Sequence, residues 1–211
     1  METSTAPISA GTRARIMEAA LETLRTDGIV GASARTIAAR GGFNQALIFY
    51  HFGSVSNLLM QAAAAHSAEA VTRYRERAKG VANLADLVDL ARRLHHEDHE
   101  SGSVTVVTQL MAGATHDPEL ARSVMDAFDK WIEVVETALR RVIDGTGAAE
   151  LIPIREAAYA IASMFLGLEL MSRLDPDRGD PEALFTMMAN LAFAVEGLLQ
   201  APPDSPLQAP V

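Results

Sequence analysis

A pair of adjacent glycines between two short helical segments constrains the fold of this chain more than any other sequence feature. Residues 33–52 read SARTIAARGGFNQALIFYHF. Ser33 is placed to cap the first segment, and Gly41-Gly42 ends it, because glycine accepts the left-handed conformation of a helix C-cap. Asn44 is placed to cap the second segment. Two helices joined by so short a turn form the unit that places a helix in the DNA major groove, although similar hairpins also occur in all-α proteins without that role.

The two segments each have an apolar face and a polar face. We expect Ile37 and Ala38 of the first segment, and Ile48, Phe49 and Phe52 of the second, to point toward a core. An exposed amide can pair with adenine, an apolar side chain can contact a thymine methyl group, and tyrosine or histidine can bond phosphate. The candidate DNA-contacting residues are Arg35, Thr36, Asn44, Gln45, Ala46, Leu47, Tyr50 and His51.

The sequence around this unit has a characteristic order. An opening helix ends in a DG turn, and a T-I-A helix, a glycine turn and the ending I-F-Y-H-F-G-S follow it. From Thr12 to about Leu59 the chain thereby resembles the N-terminal domain of the TetR family of bacterial transcriptional regulators. The resemblance implies a three-helix DNA-binding head, a longer helical body, a homodimer and a small-molecule ligand that releases DNA.

Two positions depart from the family pattern. Leu47 stands where the family often has threonine or serine, which indicates an apolar base contact in place of a hydroxyl contact. Val55 stands where a lysine usually follows F-G-S, so one phosphate contact is missing. We expect weaker electrostatic affinity for DNA, or compensation by Arg13, Arg15 or Arg35.

Composition and charge narrow the class of protein. The 211 residues include no cysteine, so neither a disulfide framework nor a thiolate site is available. The start METSTAPISAG lacks the features of a signal peptide, and the apolar run 157–168 is too short to span a bilayer, so we expect a cytoplasmic protein. Since the whole chain carries −9 and residues 1–53 carry +1, the remainder carries −10. An acidic body limits non-specific binding to polyphosphate, although many proteins are acidic for solubility alone.

The spacing of apolar residues predicts an all-α chain. The segment 104–113 would suit a strand if taken alone, but no partner strand is visible. Helices are expected at residues 12–26, 54–79, 83–99, 104–113, 118–143, 153–173 and 181–200. The expected organisation is a flexible arm (1–11), a helix-turn-helix domain (12–53), a larger helical ligand-binding and dimerisation domain (54–200) and a disordered Pro-rich tail (201–211).

The last two helices are apolar nearly all round. A helix of this kind is buried on more than one side, so we expect the helices near 153–173 and 181–200 to pack against a second subunit as well as the core. A plain monomer core is the alternative. In the family this pair of helices forms a four-helix dimer interface.

The body also contains candidates for a ligand pocket. Aromatic and methionine side chains suit an apolar ligand, although at helical spacing they are also ordinary core residues. Glu169, inside FLGLELM, must face solvent, pair with another group or meet a ligand. The candidate pocket residues are His95, Thr108, Met111, Met125, Phe128, Trp131, Met164, Phe165 and Glu169.

Residues 95–100, HHEDHE, have spacing that can hold zinc, since His95 and His99 share a helix face. The order does not match His-Glu-x-x-His and no third ligand is identifiable, so we expect a solvated helix end and no metal or cofactor. No phosphate-binding glycine loop or paired nucleophile and base is visible, which argues against an enzyme. The sequence therefore predicts a ligand-responsive DNA-binding regulator, by family default a repressor. The alternative is a helical ligand- or metal-binding dimer that has lost DNA recognition.

Overall fold

The computed structural model describes residues 6–144, 146, 149, 151–175 and 180–199. Within these residues all of the regular secondary structure is helical, as predicted. The expected disordered tail, 201–211, lies outside the described residues. The helices are α1 (Ala6–Gly31), α2 (Ala34–Gly41), α3 (Ala46–Phe52), α4 (Val55–Ala78), α5 (Leu84–Ser101), α6 (Ser103–Ala114), α7 (Pro118–Ile143), α8 (Ile154–Leu174) and α9 (Pro181–Leu199).

The largest difference from the predicted boundaries is at the start of α1. This helix begins at Ala6, so residues 6–11 of the expected flexible arm are helical. Pro7 lies in the first turn, where its missing N–H leaves no intrahelical bond unmade. The expected DG turn is confirmed: Gly28 has φ 69° and ψ −178° and interrupts the helix.

The chain forms two compact units, whose boundaries differ from the expected division at residue 53. We call them the head unit (Met1–Ala70 with Ser101–Asp129) and the body unit (Val71–Glu100 with Lys130–Val211). The head unit gains α6 because Val106 and Leu110 are buried with the apolar residues of α1. In addition, the backbone N–H of Ile29 donates to Gln109 Oε1 at 2.9 Å, which satisfies a backbone group released by the break in α1.

A polar contact joins α4 to the start of α7 within the head unit. The Ser56 hydroxyl donates to Asp117 Oδ2 at 2.8 Å. The other oxygen, Oδ1, accepts from the backbone N–H groups of Glu119 and Leu120 at 3.0 and 3.1 Å. Asp117 is therefore both the N-terminal cap of α7 and the partner of α4.

We expect this cap to make the fold sensitive to acid. The Leu120 N–H bond, followed by the Ser56 hydroxyl, holds the pKa of Asp117 below its usual 3.8. Because the folded-state pKa is the lower one, the stabilisation is complete above the unfolded-state value and is lost as pH falls through the folded-state pKa. Asp117→Asn keeps an acceptor but removes the titration, so its thermal midpoint should fall less steeply between neutral and acid pH. Equal pH dependence in the two proteins would contradict this assignment.

The body unit is stabilised by a hydrogen bond at the end of α4 and by a buried apolar cluster. Arg141 Nη1 donates to the Ala78 carbonyl at 2.7 Å, which caps the C-terminal end of α4. Val88, Phe185 and Ala192 are buried together from α5 and α9. Helix α8, with 21 residues and a mean hydropathy of 1.2 over its most apolar window, is long and apolar enough to cross a membrane. The uncharged run 157–168 is only part of this helix, and the longer window includes charged residues; core helices of ordinary globular proteins pass the same test.

Candidate DNA-binding helix and ligand cavity

The turn between α2 and α3 is built by the residues predicted for it. The Ser33 Oγ atom accepts from the Thr36 N–H at 3.2 Å, while Thr36 Oγ1 accepts from the Ser33 N–H at 3.0 Å, so both caps are satisfied. Gly42 ends α2 with φ 63° and ψ 42°, the left-handed conformation. A Cβ atom on Gly41 would lie 2.1 Å from Phe43 Cε1, so this position requires glycine for close packing. At the start of α3, Asn44 Oδ1 accepts from the Ala46 N–H at 2.9 Å.

One prediction about the buried face of α3 is wrong. Ile48 and Phe52 are buried as expected, together with Ile37 of α2. Phe49, in contrast, is 51% exposed. Phe49 follows Ile48 by one residue and therefore lies about 100° round the helix from it. The buried side of this two-turn helix is formed by Ile48 and Phe52 together with the residue on one side of them. Leu47 is that residue, since it is half-buried against the head core.

The structure places most of the predicted DNA-contacting residues on the surface of the head unit. Leu47 and His51 are half-buried, while the Thr36 hydroxyl is already used in the α2 cap and donates to the Gly31 carbonyl. The exposed members are Arg35, Thr36, Asn44, Gln45, Ala46 and Tyr50.

Two of the arginines expected to compensate for Val55 are engaged inside the head unit. Arg13 donates from Nη1 to the His51 carbonyl at 2.6 Å, and its guanidinium lies 4.4 Å from the centre of the Phe52 ring. Arg15 Nη2 donates to the Gly42 carbonyl at 3.1 Å. Val55 itself packs against the head core. Arg13 and Arg15 thus hold the ends of α3 and α2, and a lysine at position 55 would have to leave an apolar contact.

The body unit contains an apolar cavity of about 340 Å³ that is partly open to solvent. Three of the predicted pocket residues, Trp131, Met164 and Phe165, line it. The Trp131 ring packs at 4.8 Å from the Tyr74 ring and 5.8 Å from the Phe165 ring, measured between ring centres. Phe185 of α9 completes an aromatic lining. A volume of this size and an apolar wall are typical of small-molecule sites.

Sequence reasoning missed the contribution of α5 to this cavity. Leu84, Leu87, Val88, Ala91 and Leu94 all line it. Their spacing of three and four residues defines one face of a helix, which is the signal that could have identified them.

Four other predicted pocket residues do not line this cavity. They lie on α6 and on the first half of α7, which the structure assigns to the head unit. The Thr108 hydroxyl donates to the Thr105 carbonyl within its own helix. The four residues are Thr108, Met111, Met125 and Phe128.

His95 and Glu169 form a buried pair behind the cavity wall. His95 Nδ1 lies 2.5 Å from Glu169 Oε1, and the Glu169 side chain is 1% exposed. A solvent-facing Glu169 is therefore excluded, and the expectation of a solvated helix end is wrong for His95. The His95 ring lies 5.5 Å from the ring of Phe185, a wall residue, so the pair supports the cavity without being part of its lining.

Among the described residues, His96 does not join His95 in a metal centre. His96 Nε2 lies 2.9 Å from Glu182 Oε1 on the surface. The side chain of His99 lies outside the described residues. No group of three or more potential metal ligands occurs among the described residues.

Two family models match the chain on either side of α4. Residues 16–62 match the model described as bacterial regulatory proteins, tetR family. Residues 84–200 match the model of the C-terminal domain of BetI-type transcriptional repressors. The first match covers the α2–α3 unit and the second covers most of the cavity lining.

Individual proteins agree with the family models. The HTH-type transcriptional regulator UidR of Escherichia coli is 26% identical over 142 residues, which cover 67% of this chain and 70% of the relative. GusR of Salmonella enterica has a TM-score of 0.68 at 20% identity, over 95% of this chain and 100% of that chain. FadR from Bacillus subtilis, solved in complex with stearoyl-CoA, has a TM-score of 0.66 at 16% identity, over 85% and 96%. Because the C-terminal model alone spans more than half of the sequence, the chain belongs to the TetR family of bacterial transcriptional regulators, which are DNA-binding proteins and not enzymes.

Proposed function

We propose that this protein is a cytoplasmic repressor that binds a palindromic operator as a homodimer and is released by a small hydrophobic effector. The observation that carries the proposal is the apolar cavity in the body unit of a chain whose head unit bears the α2–α3 unit. The residues proposed to contact DNA are Arg35, Thr36, Asn44, Gln45, Ala46, Leu47, Tyr50 and His51.

The lining of the cavity supports an uncharged effector. Every residue that lines it is apolar or aromatic. The nearby polar side chains, His95 and Glu169, already bind each other, so a charged ligand would have to separate them or lose its hydration without compensation. FadR from Bacillus subtilis, which shares the fold, was solved in complex with stearoyl-CoA, a molecule that carries a long apolar acyl chain.

The exposed apolar side chains of α8 and α9 support a dimer interface. Exposed apolar side chains concentrated on two helices are typical of a subunit contact. Met164 and Leu191 also line the cavity, so an effector would touch residues next to the proposed interface. The exposed side chains are Tyr159, Met164, Leu170 and Met171 with Leu174 on α8, and Met187, Leu191 and Phe193 on α9.

Two continuous helices support a route from effector to DNA. Helix α4 carries Tyr74 of the cavity wall at one end and Ser56 at the other. Helix α7 carries Trp131 of the wall, and Asp117, the partner of Ser56, caps its start. An effector that displaces Tyr74 and Trp131 would therefore act on the two helices whose other ends carry the Ser56–Asp117 contact. Effector and operator should then weaken each other's binding by the same factor.

Selection of bound sequences from a random duplex library, at stated salt, tests the proposal. We expect enrichment of a palindrome with half-sites about one helical turn apart, roughly 34 Å. In the same preparation the uncharged dye N-phenyl-1-naphthylamine should quench the fluorescence of Trp131, the only tryptophan. The anionic 8-anilinonaphthalene-1-sulfonate, of matched ring structure, should bind at least tenfold more weakly. A folded dimer that enriches no sequence would instead favour a ligand-binding protein without DNA recognition.

A further inference from the structure

The outer face of α3 is defined by four exposed residues. Gln45 and Phe49 are four residues apart, as are Ala46 and Tyr50, so the two pairs stack along one side of the helix. All four are exposed, and Tyr50 is the most accessible at 82%. The opposite side holds buried Ile48. Phe49 therefore lies on the face that would meet DNA.

This outer face carries no cationic side chain. The sequence of α3, ALIFYHF, contains no lysine or arginine. Val55 follows it in place of a cation, and Arg13 and Arg15 are held by backbone carbonyls. The commonest specific contact in the major groove, a cation on the O6 and N7 atoms of guanine, is thus unavailable to α3.

We propose that Phe49, with Ala46 beside it, reads thymine through its C5-methyl group. The inference rests on the proposed operator binding, and it adds a base-reading residue and the base class that it recognises. The thymine methyl is the largest apolar group that a base pair presents in the major groove. A half-exposed phenyl ring on a DNA-facing helix gains free energy from covering that methyl, while it has no hydrogen bond to offer to any other base edge.

Leu47 offers less free apolar surface for this role than Phe49, because it packs half-buried against the head core. We therefore assign to Phe49 the apolar base contact that the sequence indicated for Leu47. The tyrosine hydroxyl of Tyr50 remains suited to a phosphate contact, which positions the helix without reading sequence.

Replacement of thymine by deoxyuridine tests the assignment, because deoxyuridine lacks only the methyl group. Each thymine of the selected operator is replaced in turn, symmetrically in both half-sites, and affinity is measured with the full-length dimer. Burial of one methyl is worth about 0.8 kcal/mol, which is about fourfold in affinity, so two half-sites should give about fifteenfold at the contacted thymine. Thymines outside the contact should show no change.

Variants then identify the side chain responsible. Phe49→Ala should bind the thymine and deoxyuridine operators equally, whereas Phe49→Leu should keep most of the discrimination. Tyr50→Phe is the matched control on the same face: it should weaken binding to both operators alike. Thermal unfolding should be unchanged in all three, because neither side chain belongs to the buried core of the head unit.

Each other outcome has a definite meaning. If no thymine responds to deoxyuridine, or if the response persists in Phe49→Ala, the inference is wrong while the proposed function stands. If the selection enriches no sequence, both the proposed function and this inference fail.

Discussion

Phe193→Glu is expected to convert the proposed dimer into monomers and to lower operator affinity by at least a hundredfold. Phe193 is 76% exposed in the single chain and lies on α9 in the apolar surface that we propose as the interface. In a two-fold interface each substitution acts twice, so two carboxylates would be buried against apolar surface. A cost of about 2 kcal/mol for each copy raises the dimer dissociation constant about a thousandfold.

Loss of the dimer should propagate to DNA binding without damage to the head unit. A monomer holds one half-site at a time and forgoes the gain from simultaneous engagement, which is typically 10² to 10⁴ in affinity. Sedimentation velocity measures the first effect and operator titration the second. Leu151→Glu is the matched control: Leu151 is 81% exposed in the body unit but precedes α8, so its variant should stay dimeric. If Phe193→Glu remains dimeric, the interface lies elsewhere on the chain.

The parts of the fold that the sequence predicted well are those with local causes. The α2–α3 unit depends on Ser33, Gly42 and Asn44, each of which satisfies backbone groups within a few residues. Helix caps and left-handed glycines depend on contacts between residues that are close in the chain, so the amino-acid sequence alone predicts them. The break of α1 at Gly28 belongs to the same class.

Features that depend on packing between distant segments were predicted less well. Phe49 was expected inward because it is apolar, but only a neighbouring surface decides which apolar residues of a short helix are covered. The sequence places Thr108 and Met111 in the pocket because Thr108 is a polar residue within an apolar run and Met111 is a methionine on a body helix. The contact of Gln109 with Ile29, 80 residues away, instead joins that helix to α1. The spacing of apolar residues within α6 does not predict a contact with so distant a segment.

Glu169 could be predicted in part from its local sequence and in part only from the folded structure. Its position within an apolar run marks it as unusual, and the sequence leaves three alternatives open: exposure to solvent, pairing and ligand binding. The partner, His95, is 74 residues away on α5 and could be identified only from the folded chain. The His95 ring packs against Phe185 of the cavity wall. Because His95 and Glu169 bind each other, each of these buried polar side chains has a partner there.

His95→Phe is expected to lower the free energy of unfolding by about 3–5 kcal/mol, since it leaves the buried Glu169 carboxyl without its imidazole partner. The double variant His95→Phe/Glu169→Met replaces both polar groups by apolar groups of similar size and should recover to within about 1 kcal/mol of the original protein. Urea unfolding at one fixed protomer concentration measures both values, because dimerisation makes stability concentration-dependent. His96→Leu is the neighbouring control: it breaks the exposed contact with Glu182 and should cost under about 1 kcal/mol.

The double variant also separates a structural role of the pair from a ligand-binding one. If the pair only supports Phe185, the double variant should bind N-phenyl-1-naphthylamine as the original protein does, with the same quenching of Trp131. If the pair contacts the effector directly, the double variant should fold normally and lose that binding. A single variant as stable as the original protein would show that Glu169 finds another partner when His95 is removed. The support that α5 gives to α8 would then not depend on this contact.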